Sequence, residues 1–165
     1  MNQYQTGMQR VLAVVIDNLI IQVGQTPFFW LFSANIAAPV NVVSAFVLCL
    51  LPVGYSLFMH GRFGQTLGKF FCGVRVVKLN GSRITHEQAI RREIVPCLLL
   101  PVWVWTFGYL AIYREYPPSG MFLWAQQICL CWGVLELITM FFNEQRRAIH
   151  DFIAKTVVVR VERPL

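Results

Sequence analysis

The sequence predicts an all-α membrane protein of four transmembrane helices, with a small cytoplasmic amphipathic helix and a β-hairpin/tail sheet beside them. Three observations carry this. Four apolar runs, Val11 to Phe32, Asn41 to Met59, Ile94 to Tyr113 and Met121 to Phe142, are each 19 to 22 residues long, and about 20 helical residues cross a hydrocarbon core of ~30 Å. Of the 165 residues, 56% are hydrophobic and only 13% charged, with a mean hydropathy of +0.55, whereas a soluble domain carries about 25% charged residues. Basic residues are also unevenly placed: seven lie in the connection 60–93, five follow Phe142 and Arg10 opens the first run, against Arg114 alone in the other two connections. Cytoplasmic connections retain Lys and Arg, so both termini are expected in the cytoplasm. The net charge of +6 follows from the same asymmetry and from attraction to anionic lipid heads. The bilayer is the partner this implies, and nucleic acid is not.

The first run is retained as a helix and is not a cleaved signal, because an aspartate interrupts its apolar stretch and no small-residue cleavage site follows cleanly. Pro27, Pro52, Pro96 and Pro101 fall inside or at the ends of the runs; neighbouring helices satisfy the freed carbonyls, so kinks are expected and not breaks. After the second run, Phe63, Leu67, Phe70 and Phe71 recur at three- and four-residue intervals among glycines. That is a short amphipathic helix on the membrane surface, with Lys69 facing lipid head groups. The stretch GQTLGK, Gly64 to Lys69, lacks the spacing and the Ser or Thr of a nucleotide-binding phosphate loop. Val74 to Lys78 reads as a strand, Asn80-Gly81 as a hairpin turn, Ser82 to Thr85 as the returning strand, and Thr156 to Glu162 as a third strand from the tail. Thr85-x-x-Gln88 is a capping box, so a helix should start there and run through Arg91 and Arg92 into the third span. Trp103, Trp105, Tyr109, Tyr113, Tyr116 and Trp124 resemble an interfacial aromatic belt, and Tyr116 to Gly120 reads as a tight external turn.

Two acids lie inside the spans. Asp17 sits seven residues beyond Arg10, on the same helical face and ~10 Å further along the axis. Glu136 sits seven residues before Asn143, so both acids reach one layer near the cytoplasmic third of the bilayer. An aspartate at the centre of a span costs roughly 2.5 to 3.5 kcal/mol even on lenient scales, and something must compensate it. Asn18 and Gln22 extend the polar set, and Arg10, Arg91 and Arg92 are the candidate partners, with long side chains that snorkel from the boundary. Arg10, Asp17 and one of Arg91 and Arg92 are expected to form one charge network. Functionally, paired carboxylates make a proton or cation site, since each shifts the other's titration; the alternative is a satisfied ion-pair network that fixes helix packing.

The segments QRVLAVVID, GQTLGKFFCGVRVV and RRAIHDFIAKTVVV, in this order, resemble the RDD family of small bacterial membrane proteins over nearly the whole chain. The resemblance implies one membrane domain spanning 1–165, with a cytoplasmic insert at about 60–93 and a cytoplasmic tail at about 143–165, in the cell inner membrane. The family is named for an arginine and two aspartates, which correspond by position to Arg10, Asp17 and Asp151. It implies the motif residues Gly64, Thr66, Gly68 and Lys69, and His150 beside Asp151, an acid just outside the membrane that is expected to reach Arg10 or the GQTLGK segment or to stabilise the tail fold. It also implies transport of an unspecified ligand, some members being linked to sodium/proton antiport, while related domains serve in scaffolds. The functional expectation is a membrane transporter exchanging Na⁺ or H⁺ through a buried carboxylate site, as a homo-oligomer given only four helices. An adaptor or assembly protein is the alternative.

No enzyme signature is present, and no cofactor motif. His60, His86 and His150 lack metal-ligand spacing, so no metal site is expected. Cys49, Cys72, Cys97, Cys129 and Cys131 follow no disulfide or metal spacing and read as packing residues.

Overall fold

A computed structural model describes residues 4–34, 37–115 and 120–161. Four long helices carry the apolar runs: α1 (Gly7–Ser33), α2 (Ala38–Phe63), α5 (Ile94–Tyr113) and α6 (Met121–Phe142). Each is long and apolar enough to span a membrane. They run unbroken through Pro27, Pro52 and Pro101. Their outward faces keep large apolar side chains such as Leu19, Val23, Leu98 and Leu130 exposed, as a lipid-facing surface requires. Trp105, Tyr113 and Trp124 are likewise exposed. Tyr116 to Ser119 lie outside the described residues.

The connection between α2 and α5, together with the tail, builds a cap at one end of the bundle. It comprises α3 (Leu67–Phe71), β1 (Val74–Lys78), α4 (His86–Arg92), α7 (Ile149–Ile153) and β2 (Thr156–Arg160). The strands pair antiparallel with Val76 opposite Val158, so the expected tie between insert and tail is present. A two-stranded ribbon is marginal by itself; here Val74, Val76 and Val158 bury their side chains with Ile84 and Ala89, so α4 backs the sheet.

Three expectations for the cap need correction. The returning strand of the hairpin shrinks to a single bridge, Val77 to Arg83, because the chain must reach the α4 cap at Thr85 within four residues of Gly81. Thr85 and Gln88 do form the capping box, but α4 stops at Glu93 instead of continuing into the third span. The reason is Pro96: an uninterrupted helix would need its missing N–H at the Arg92 carbonyl, and its ring would collide there. Finally, α3 is only one turn and does not lie freely on the surface. Gly68 presses against α1 so closely that a Cβ would come within 2.1 Å of the Ala13 carbonyl oxygen. That contact turns Lys69 inward, away from head groups, and leaves Phe70 and Phe71 outside.

Candidate functional site

Three polar groupings lie where the cap meets the bundle. The first surrounds Asp17. Its Oδ1 accepts from Tyr55 Oη at 2.7 Å and from the Gly68 amide at 2.8 Å, and its Oδ2 accepts from Thr66 Oγ1 at 2.5 Å. Hydrogen bonds to a charged acceptor contribute roughly 1.5 to 3 kcal/mol each, so three neutral donors offset the insertion cost with no cation. Thr66 also caps α3 through the Lys69 amide, and Gly64, in the left-handed region at φ 70°, ends α2 and passes the chain to β1. The GQTLGK segment is thereby a clasp on Asp17.

The second grouping is centred on Asp151, which is fully buried. It accepts from Arg10 Nη2 at 2.6 Å on Oδ2 and from Arg92 Nη1 on Oδ1. The Ala148 amide and Thr156 Oγ1 complete its shell, each at 3.2 Å. Burial opposes the charge, but Arg92, His150 and Arg10 together outweigh it and hold the carboxyl well below the usual carboxylate range.

The third grouping lines a cavity of about 270 Å³ that reaches Asp17, Asn18, Lys69, Arg92, Glu93 and Glu136. Two chains of the same design run along it. In one, Lys69 Nζ lies 2.6 Å from His60 Nε2, His60 Nδ1 lies 3.2 Å from Ser56 Oγ and 3.0 Å from the Ser56 carbonyl oxygen, and Ser56 Oγ donates to Glu93 at 2.5 Å. In the other, Arg92 Nη2 lies 2.9 Å from His150 Nε2 and His150 Nδ1 lies 2.5 Å from Glu136 Oε1. A guanidinium only donates. Nε2 of His150 therefore accepts, its ring proton sits on Nδ1, and that proton points at Glu136. A protonated Lys69 imposes the same tautomer on His60. Burial, reinforced by Arg92 and Arg10, pulls the Lys69 ammonium down from 10.5 to about 7, while arginine keeps its proton throughout.

The RDD family profile matches residues 4–155. The chain belongs to the RDD family. Among curated proteins it is similar to one described as "Uncharacterized protein YckC" from Bacillus subtilis (strain 168), at 27% identity over 152 residues, covering 90% of this chain and 80% of that one. No solved structure matches.

The three residues of the family name do not meet as one network. Arg10 and Asp151 pair, whereas Asp17 bonds neither Arg10 nor Arg92 among the described residues. The correction has a simple cause: helical side chains lean toward the N-terminus of their helix, so Arg10 reaches away from Asp17 and toward the tail. Of the two candidate arginines, Arg92 joins Asp151 and Arg91 is exposed, bonded to Glu87 at 2.5 Å. Asn18 and Glu136 line the polar cavity with Asp17, and His150 is the direct partner of Glu136. Tyr55, Ser56, His60 and Glu93 join the site although the sequence reading assigns them no role there. Ser56 and His60 are one turn apart at the end of an otherwise apolar helix, which is the signal that points to them.

Proposed function

We propose that this RDD protein is a membrane transporter that exchanges a cation for protons through the polar cavity, without enzymatic chemistry. One contrast supports the reading above all: of two parallel cation–histidine–carboxylate chains, one ends in a lysine that can release a proton and the other in an arginine that cannot. On the lysine arm a proton passes from Lys69 to His60 Nε2 while the Nδ1 proton moves to Ser56 Oγ and the Ser56 hydroxyl proton moves to Glu93, and the reverse path reloads it. On the arginine arm the tautomer of His150 is locked and Glu136 has its second oxygen without a partner among the described residues. The first is a proton site and the second a cation site. Seven of the fourteen basic residues fall in the connection 60–93, which supports a cytoplasmic cap and cytoplasmic termini in the inner membrane.

Proteoliposomes enclosing a pH-sensitive dye test this. Imposing a gradient of Na⁺, K⁺ or an organic ammonium should move lumenal pH, and Lys69→Arg, which keeps charge and donor but not proton release, should abolish the movement. No pH change with any cation refutes exchange. A second reading, an adaptor or assembly protein working as a homo-oligomer, is favoured by the thin burial of α1, where only Arg10, Ala13 and Phe32 are buried; it predicts no flux and a partner that co-purifies.

A further inference from the structure

The cation side of the cavity opens sideways. Between α1 and α6 runs a groove of about 450 Å³, walled by Val11, Val15, Val134 and Leu137, with Arg10, Glu136 and His150 as its polar lining. Val14 lines the groove, the polar cavity and a third space inside the bundle, and Glu136 and His150 line both groove and polar cavity. The groove and the polar cavity therefore meet back to back at these side chains, and Glu136 faces both.

We propose that this groove admits a protonated amphipathic amine, an ammonium on an apolar alkyl or aryl body, from the lipid phase to Glu136. This rests on the assignment of Glu136 as the cation side. Glu136 offers one oxygen to His150 Nδ1; among the described residues nothing bonds the other, Oε2. The positive groups around it are committed elsewhere. Arg10 directs its guanidinium N–H groups at Asp151 and at the Arg146 carbonyl oxygen, the latter at 2.5 Å. Arg92 bonds the same Asp151 and Thr156, and His150 contacts Glu136 only through Nδ1 and the first oxygen. A carboxylate with one free oxygen at the inner end of an apolar wall complements an N–H cation carrying an apolar tail. A drug-sized ligand occupies pockets of roughly 300 to 1,000 Å³, so the volume suits a body of one or two rings. An anionic lipid phosphate would meet the carboxylate and is disfavoured.

The test uses the full chain in phosphatidylcholine nanodiscs, titrated calorimetrically with 4-phenylbutylammonium, 4-phenylbutanol and 4-phenylbutyrate, with empty nanodiscs subtracted. Wild type should prefer the ammonium to the alcohol by about ten- to a hundredfold, the worth of one charge-assisted hydrogen bond, and should not bind the acid. Glu136→Gln, which still accepts from His150, should erase that preference. Gly133→Leu should weaken the ammonium at least tenfold: Gly133 lines the groove, and a Cβ there meets nothing within 4 Å, so the larger side chain fills the groove without displacing the fold. Equal affinity for ammonium and alcohol, or an unchanged preference in Glu136→Gln, overturns the proposal. So does a dimer that Gly133→Leu splits while wild type takes up no ammonium, since a second copy then fills the groove. Ammonium binding without ammonium-driven proton movement upholds this inference and removes exchange; sodium-driven proton movement without ammonium preference does the reverse.

Discussion

Asp151→Asn should destabilise the folded chain by roughly 3 to 5 kcal/mol, the cost of removing one partner from a buried ion pair. Asp151 is fully buried, and Arg10 and Arg92 are only 7% and 4% exposed, so neither guanidinium can turn to water when the charge between them is lost. An asparagine supplies one acceptor where two guanidiniums, an amide and a hydroxyl now converge, and sets its own NH₂ against donors. Removing Arg10 as well, in Asp151→Asn with Arg10→Met, takes away one of the stranded charges. The double variant should then lose less than the two singles together, by 0.5 to 3 kcal/mol on the usual scale of coupled contacts. Unfolding of wild type, both singles and the double in mild detergent measures this directly. The companion cycle with Arg10→Met and Asp17→Asn should be additive within about 0.5 kcal/mol, because Asp17 draws its donors from Tyr55, Thr66 and Gly68. The pH dependence has a fixed sign. The Asp151 carboxyl is held below its ordinary 3.8, so its contribution is complete above that pH and fades only as pH falls through the lower folded value. The coupling should therefore be the same at pH 5 and pH 8. An additive Arg10/Asp151 cycle, or coupling between Arg10 and Asp17 in its place, refutes the assignment of partners.

Other outcomes follow from the same contacts. Lys69 loses its proton near pH 7 in the folded chain and near 10.5 when unfolded, so the unfolded state binds more protons between those values and stability attributable to this group rises with pH across that window; Lys69→Met should flatten the rise in melting temperature, and equal slopes would contradict the buried position. Gly68→Ala forces a Cβ to within 2.1 Å of the Ala13 carbonyl oxygen and 2.8 Å of Asp17 Cγ, so α3 must leave α1, and the variant should melt below wild type and expose the clasp to proteolysis. Tyr55→Phe removes one donor to Asp17 and should cost roughly 1.5 to 3 kcal/mol, a loss that Asp17→Asn in the same chain should partly absorb. A cysteine replacing Gly120 should react with an impermeant reagent from the periplasmic side and one replacing Val161 from the cytoplasmic side; labelling from one side would overturn the topology.

The four spans were legible because length and hydropathy decide a membrane helix almost alone, and the capping box at Thr85 and Gln88 and the pairing of Val74–Lys78 with the tail were legible from local chemistry. What failed was reach. Spacing placed Arg10 and Asp17 on one face correctly, yet a shared face fixes where a Cβ sits and not where a five-bond side chain ends. Arg10 leans toward the helix N-terminus and is captured by a residue 141 positions away, a partner no periodicity can indicate. Lys69 fails differently. Its helix looked like a surface element because Phe63, Leu67, Phe70 and Phe71 are apolar, but the backbone contact at Gly68 sets the helix down on α1 with the lysine inward. Glu93 was invisible for a third reason: it stands at the junction that Pro96 imposes between α4 and α5, where neither the polar rhythm of the cap nor the apolar rhythm of the span assigns it a face. The three residues of the family name thus serve two separate clasps. Asp17 holds the insert to α1 and Asp151 holds the tail to α1 and α4, and Asp17 also lines the cavity, beside residues outside the name such as Lys69, Glu93 and Glu136. A substitution at Asp17 or Asp151 that stops activity would therefore report a lost clasp as readily as a lost ligand, whereas Lys69→Arg and Glu136→Gln keep the hydrogen-bond geometry and change only what the cavity can exchange.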